Sequence, residues 1–130
     1  MLIIDLEKSI KVLKHGFAPP DILDISKDYT YPETYEEILG TLGPLTDQPN
    51  LLVAFDIETT GLDSRAINAE VIAVSFAWAN GKSCAINTRN LPKESLDVIK
   101  RFLTSSTLKE AHNGQFDIEY IWEQWGILVE

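Results

Sequence analysis

Hydrophobic and polar positions change character near residue 50. Before it, Ile3, Leu6, Ile10 and Leu13 recur at helical spacing, with Lys8, Lys11 and Lys14 on another face and Gly16 as a stop. The same stretch also reads as a short edge strand over residues 2–6. Pro19-Pro20 then forces extended backbone. From Pro32 the pattern predicts a helix with proline in its first turn and Glu33, Glu36 and Glu37 near the positive end of the dipole. Its apolar face is Tyr35, Ile38, Leu39 and Leu42, and Gly43-Pro44 ends it. Residues 46–50 read as a polar linker.

After residue 50 the signals sharpen. Leu51-Leu52-Val53-Ala54-Phe55 is a continuous apolar run, the pattern of a strand buried on both faces. It runs into Asp56-Ile57-Glu58 and a turn at Thr59-Thr60-Gly61-Leu62-Asp63. Residues 70–79 predict a second strand and residues 82–87 a third, joined by Asn80-Gly81, a strong hairpin signal. Leu96, Ile99, Phe102 and Leu103 mark a helix starting near Pro92, with Ser95 as an early cap. A short strand over 108–112 leads to Asn113-Gly114. A last helix succeeds it, its buried face read as Ile118, Ile121, Trp122 and Trp125, closed by Gly126. This order predicts an α/β fold, a mixed sheet flanked by helices. Residues 1–49 are read as an N-terminal extension with one or two helices, and residues 50–130 as the chemistry-bearing unit.

Composition narrows the class. The 130 residues are 45% hydrophobic and 24% charged, which argues for one globular domain and against disorder or coiled coil. No apolar run approaches the roughly 20 residues of a membrane span, so no membrane association is expected. The acid-broken start does not read as a signal peptide. A lone Cys84 forms no internal disulfide, which fits a reducing cytoplasm. The net charge of −9 points away from binding by phosphate neutralisation alone. Neither half of the chain is basic. A nucleic-acid ligand would therefore require metal ions, or a basic surface on another segment.

Asp56 and Glu58 supply the chemistry that could change this. Strand alternation sends both side chains to one face, with Cα atoms about 6.5 Å apart. Two acids so placed repel and lose solvation, which calls for a cation between them. Carboxylates without His or Cys suit Mg²⁺ or Mn²⁺ rather than zinc. Taken alone, the pair reads more simply as the opening of a solvated turn. His112-Asn113-Gly114-Gln115-Phe116-Asp117 is the second constellation, placing Asp117 in the first turn of a helix just after a strand. Alone, it could serve only the helix dipole.

Together the two stretches resemble a known pattern. Phe55-Asp56-Ile57-Glu58-Thr59-Thr60-Gly61-Leu62-Asp63 resembles the first motif of the DEDD superfamily of 3′–5′ exonucleases, and Asn113-Gly114-Gln115-Phe116-Asp117 resembles the second. Their spacing, the hairpin between them and the helix before Leu108 are most similar to the proofreading domain of family A (DNA polymerase I-like) DNA polymerases. The resemblance covers roughly residues 30–130. It implies a ribonuclease H-like fold, two divalent ions (Mg²⁺ or Mn²⁺) and hydrolysis of nucleotides from a single-stranded DNA 3′ end. By position, Asp56 would bridge the ions, Glu58 hold the first and Asp117 support the second. Thr59, Leu62, Asn113 and Phe116 would contact substrate, Leu62 packing against the terminal base. Two ions about 3.5–4 Å apart activate water and stabilise the leaving oxygen, so three or four carboxylates suffice.

The chain departs from the family in one respect. The third motif, a Tyr or His four residues before a final Asp, has no match after Asp117; Tyr120 is followed at that spacing by Gln124. The reading is thus the front portion of an exonuclease, inactive alone and dependent on the remaining exonuclease or polymerase portion in cis or in trans. Two alternatives stand beside it: an inactive module that binds a polymerase or nucleic acid, and a fragment of a ribonuclease D-like RNA exonuclease. An uncovered sheet edge is also expected, and with it marginal stability or association with a partner. The remaining chemistry-bearing residues have ordinary readings. His15 is a dipole partner, His112 a strand-end histidine, Cys84 a small core residue, and Trp78, Trp122 and Trp125 core aromatics.

Overall fold

The computed structural model describes residues 28–78 and 81–130. Both readings of the first 13 residues, and those of His15, Gly16, Pro19-Pro20 and Asn80, lie outside the described residues. The elements run β1 (Tyr29–Thr30), α1 (Tyr35–Leu42), β2 (Leu52–Thr59), β3 (Val71–Trp78), β4 (Lys82–Asn87), α2 (Lys93–Leu103), β5 (Leu108–Ala111) and α3 (Gly114–Trp125). The strands form one sheet in the order β1-β4-β3-β2-β5. β2, β3 and β4 are antiparallel neighbours, while β1 joins β4 and β5 joins β2 in parallel. This is the mixed α/β sheet flanked by helices that the pattern predicts. The pattern does not predict the two-residue strand β1; so short a run carries no periodicity to read.

Helix α1 starts later than Pro32. Thr34 caps it, its side chain accepting from the Glu37 backbone N–H at 3.1 Å, while the Glu37 carboxylate accepts from the Glu33 backbone N–H at 2.9 Å. These two bonds resemble a capping box and decide the boundary more strongly than proline does. Ile38 and Leu42 are buried, whereas Tyr35 and Leu39 are exposed. Helix α2 begins after Pro92, and Ser95 is not its cap: the Ser95 hydroxyl is buried with no hydrogen-bond partner. Val98 takes a core place, and Leu96 is only half-buried.

Strand β2 continues through the acids to Thr59 and is not buried on both faces. Val53, Phe55 and Ile57 are buried; Leu52, Ala54, Asp56 and Glu58 are half-buried or exposed. The buried side carries the main core. Phe55 pairs with Phe76 and Ile57 with Val74, and Phe76 meets Phe102 of α2 edge to face with ring centroids 5.1 Å apart. Ile38, Leu42 and Leu45 join the same core, so residues around α1 share it with the strands. Cys84 is buried in this core as expected, and burial pushes its thiol up to about 12, too high to form thiolate readily. Gly81 adopts a left-handed φ of 75° between β3 and β4, where a side chain would be strained.

Helix α3 lies against β3 and β5. Its buried residues are Asp117, Tyr120 and Ile121, while Ile118 and Trp125 are half-buried and Trp122 is 53% exposed. The expected apolar face is therefore rotated toward Asp117. Gly126 ends the helix with φ 69°, as its position predicts. Among the described residues no helix is long and apolar enough to cross a membrane.

Candidate active site

Strand β2 presents Asp56 and Glu58 on the face opposite its core residues. Across the ladder they stand opposite Ser75 and Ala73, and Ala54 pairs with Ala77 beside them. Small neighbours keep that face low and leave room above the carboxylates. The ladder slips just after Glu58, which pairs with Ala73, because Thr59 pairs with Val71. The extra residue is Ile72 of β3, so it is that strand the irregularity bends, and bulges concentrate beside functional sites. No sequence signal announces it.

The third acid arrives from α3. Asp117 occupies the first turn, its backbone N–H donating to the Asn113 carbonyl at 3.1 Å. Only 2% of Asp117 is exposed, and its Oδ2 has no hydrogen-bond partner. Burial, and after it the negative charges of Asp56 and Glu58, pushes its carboxyl up to about 7. The two stretches, more than fifty residues apart in sequence, are thus brought within electrostatic reach of one another. A bare buried carboxylate facing two more is unfavourable unless it takes a proton or a cation. It is a candidate site on physical grounds.

The substrate-type residues are distributed around these acids. Thr59 is half-buried and its hydroxyl donates to the Gly61 carbonyl at 2.8 Å, so it shapes the turn after β2. Leu62 is 89% exposed on that turn. Asn113 is the N-cap residue of α3 but makes no side-chain cap bond, and it is exposed. Phe116 is half-buried against the core, its ring 5.5 Å from that of Tyr120. His112 is exposed in the turn after β5 rather than lying within the strand.

The donor set fits hard divalent cations: three carboxylates, one with an unpartnered buried oxygen. Among the described residues, however, no three His, Cys, Asp or Glu side chains are already gathered in ligating arrangement. Closing the acids on an ion would fall to side-chain rotation, for which exposed Glu58 is the freest. A shallow cleft among the described residues lies elsewhere. It is lined by residues 104–109 and Glu130, near the opposite end of β5, and in it the Lys109 ammonium donates to the Ser105 carbonyl at 2.6 Å. That lysine bonds the turn that succeeds α2, and the cleft holds none of the three acids.

A family model described as 3′–5′ exonuclease matches residues 29–130. Comparison with curated proteins finds no match. Among solved structures, Trypanosoma brucei RNase D is 18% identical, with a TM-score of 0.63 over 82% of this chain and 37% of its own. Escherichia coli RNase D, an exoribonuclease involved in structured RNA processing, is 16% identical, with a TM-score of 0.62 over 78% of this chain and 26% of its own. Brucella melitensis NrnC is 20% identical, with a TM-score of 0.56 over 78% of this chain and 45% of its own; it has also been solved with bound Mg²⁺. At such identities the likeness is one of fold alone. This chain spans less than half the length of each of these structures.

Proposed function

The chain belongs to the 3′–5′ exonuclease family, and on that premise we propose that it supplies three of the four carboxylates of a two-metal-ion site that removes nucleotides from DNA 3′ ends, as the proofreading part of a DNA polymerase. The observation that carries this reading is Asp117: a buried carboxyl with an unpartnered oxygen, facing the charges of Asp56 and Glu58. Asp56, Glu58 and Asp117 would hold the ions, Mg²⁺ or Mn²⁺. Divalent ions at such a site supply the charge that activates water and stabilises the departing 3′ oxygen.

The remaining roles belong to this chain's own residues. β2 fixes the backbone of Asp56 and Glu58 in a hydrogen-bonded ladder, leaving side-chain rotation to bring their carboxylates together when an ion and a phosphate arrive. Leu62 stands in solvent where a terminal base can pack on it, and Thr59 shapes the turn that presents it. Asn113 offers a free amide and Phe116 an aromatic edge beside the third acid. No Asp comes after Asp117 in the sequence, so the fourth carboxylate, and the Tyr or His that orients water, would come from outside these 130 residues, in cis or in trans.

A specific observation favours a second reading. The similar solved structures include ribonucleases, and one Trypanosoma brucei RNase D structure is a complex with RNA U12. The test sets 3′-labelled single-stranded DNA and RNA side by side with Mn²⁺, with and without the remaining exonuclease portion supplied in trans. Faster release from DNA supports proofreading, and faster release from RNA supports the ribonuclease D-like alternative. Release that survives Asp56→Ala overturns the site. No release even with the added portion overturns the enzyme reading in favour of a binding module.

A further inference from the structure

The loop between β2 and β3 is more tightly organised than its exposure suggests. At its neck the Thr60 backbone N–H donates to the Glu70 carbonyl, and the Glu70 N–H donates back to the Thr60 hydroxyl, both at 3.0 Å. The same hydroxyl donates to the Asn68 carbonyl at 3.0 Å. Inside the loop Asp63 Oδ1 accepts from the Arg65 backbone N–H at 2.9 Å, and Ala69 N–H donates to the Ala66 carbonyl at 3.0 Å. Pinched ends and internal turns are the features of a compact Ω-type loop. From it Leu62 and Ile67 project almost wholly into solvent.

Two further bonds run from this loop to α3. Gln124 Nε2 donates to the carbonyl of buried Ser64 at 2.9 Å, and Arg65 Nε donates to Glu123 Oε1 at 3.0 Å. Glu123 and Gln124 lie six and seven residues beyond Asp117, roughly 10 Å along the helix. The three acids are divided between the same two parts of the molecule, β2 with its loop and α3. Their like charges push those parts apart. A contact that joins them at a distance from the acids resists the separation without crowding the site.

We propose that Ser64–Gln124 and Arg65–Glu123 form a two-point clamp, making Gln124 and Arg65 positioning residues that hold Leu62 in register with Asp117. Neither side chain is bonded to Asp56, Glu58 or Asp117; both act through the loop. Gln124 is the stronger point, because its partner carbonyl belongs to a buried residue. Arg65 is largely exposed, and its carboxylate neighbours include Glu119 and Asp63 as well as Glu123. Screening weakens such a pair. The clamp rests on the exonuclease reading for its purpose, but its existence is testable without activity.

The experiment uses the whole chain and three variants: Gln124→Ala, Gln124→Glu, which keeps the length but loses the donor, and Gln124→Lys, which restores a donor. Amide hydrogen exchange over residues 61–69 should rise about two- to tenfold in the first two, the worth of one ordinary hydrogen bond, and return toward the parent in the third. Binding of a 5′-labelled single-stranded oligothymidylate, monitored by anisotropy with Ca²⁺, should weaken in parallel. Mn²⁺ binding, monitored by paramagnetic resonance, should stay unchanged, because the acids are intact. Unchanged exchange over 61–69 overturns the clamp. Loosened exchange with undiminished oligonucleotide binding overturns its positioning role. A parent chain that binds neither Mn²⁺ nor the oligonucleotide even with the remaining exonuclease portion supplied in trans overturns the exonuclease reading, and the positioning role with it.

Discussion

The two faces of β2 contrast sharply over eight residues. On one side Val53, Phe55 and Ile57 are buried against β3, α1 and α2; on the other, Ala54, Asp56 and Glu58 look across small neighbours toward Asp117. Alternation along a strand lets one backbone serve both ends, because successive side chains never share an environment. The first face is shaped by volume and the loss of water; the second by charge, at a cost in stability. Stability and chemistry are thus adjacent in sequence but separated by the thickness of a sheet.

This contrast can be broken from either side. The largest effect is expected at the core face. Phe55→Ala should cost about 3–5 kcal/mol through lost burial and a cavity, enough to unfold a marginal domain, as read by denaturant titration. Asp56→Ala should leave the fold intact yet reduce Mn²⁺-dependent nucleotide release by about a hundredfold or more in the complemented enzyme. If instead it unfolds the chain while Phe55→Ala is tolerated, the two faces have been assigned the wrong way round.

Asp117 sharpens the comparison, because it is buried like a core residue and charged like a site residue. Its folded-state carboxyl titrates at about 7 against 3.8 for the free side chain, so the folded protein holds the proton more tightly than the unfolded chain. The metal-free domain should therefore lose stability as pH climbs from about 4 to about 7, by at most ~1.4 kcal/mol per pH unit, and level off above that. Melting in EDTA at pH 5 and pH 8 reads the difference. Asp117→Asn should flatten it, raising stability at pH 8 while abolishing catalysis. Added Mg²⁺ or Mn²⁺ should restore stability at pH 8 in the parent and not in the variant. A parent melting point that rises with pH in EDTA would contradict the assignment of Asp117 as the strained acid. The smallest effect is expected far from either face: Thr34→Ala removes the α1 cap and should cost about 1 kcal/mol, by thermal melting, with no change in metal binding.

How much of the fold is legible in the sequence depends on the range of the interactions involved. The hairpin partner β4 falls on residues 82–87 as expected, because Asn80-Gly81 is a local turn signal and alternation is a local pattern. The stop at Gly126 is equally local. Helix α3 shows the opposite. Ile118, Ile121, Trp122 and Trp125 make a reasonable apolar stripe, but the helix docks with Asp117, Tyr120 and Ile121 inward and leaves Trp122 outside. Pattern alone treats an acid as an exposed position, and only the docking of the helix against β3 and β5 puts one inside. The start of α1 differs from expectation for a smaller reason, a side-chain cap from Thr34 that outweighs proline.

The three candidate acids stand out in the sequence through a resemblance to two exonuclease motifs: two carboxylates one strand repeat apart, and a third in the first turn of a helix after a strand. That much, with the α/β class, the amino-acid order determined by itself. The tertiary structure decided which of the three would be the strained one, that a bulge comes after Glu58, and that Gln124 and Arg65 tie the intervening loop to α3. Each of these depends on desolvation or on contacts between residues up to sixty positions apart, and no local pattern in the chain records them.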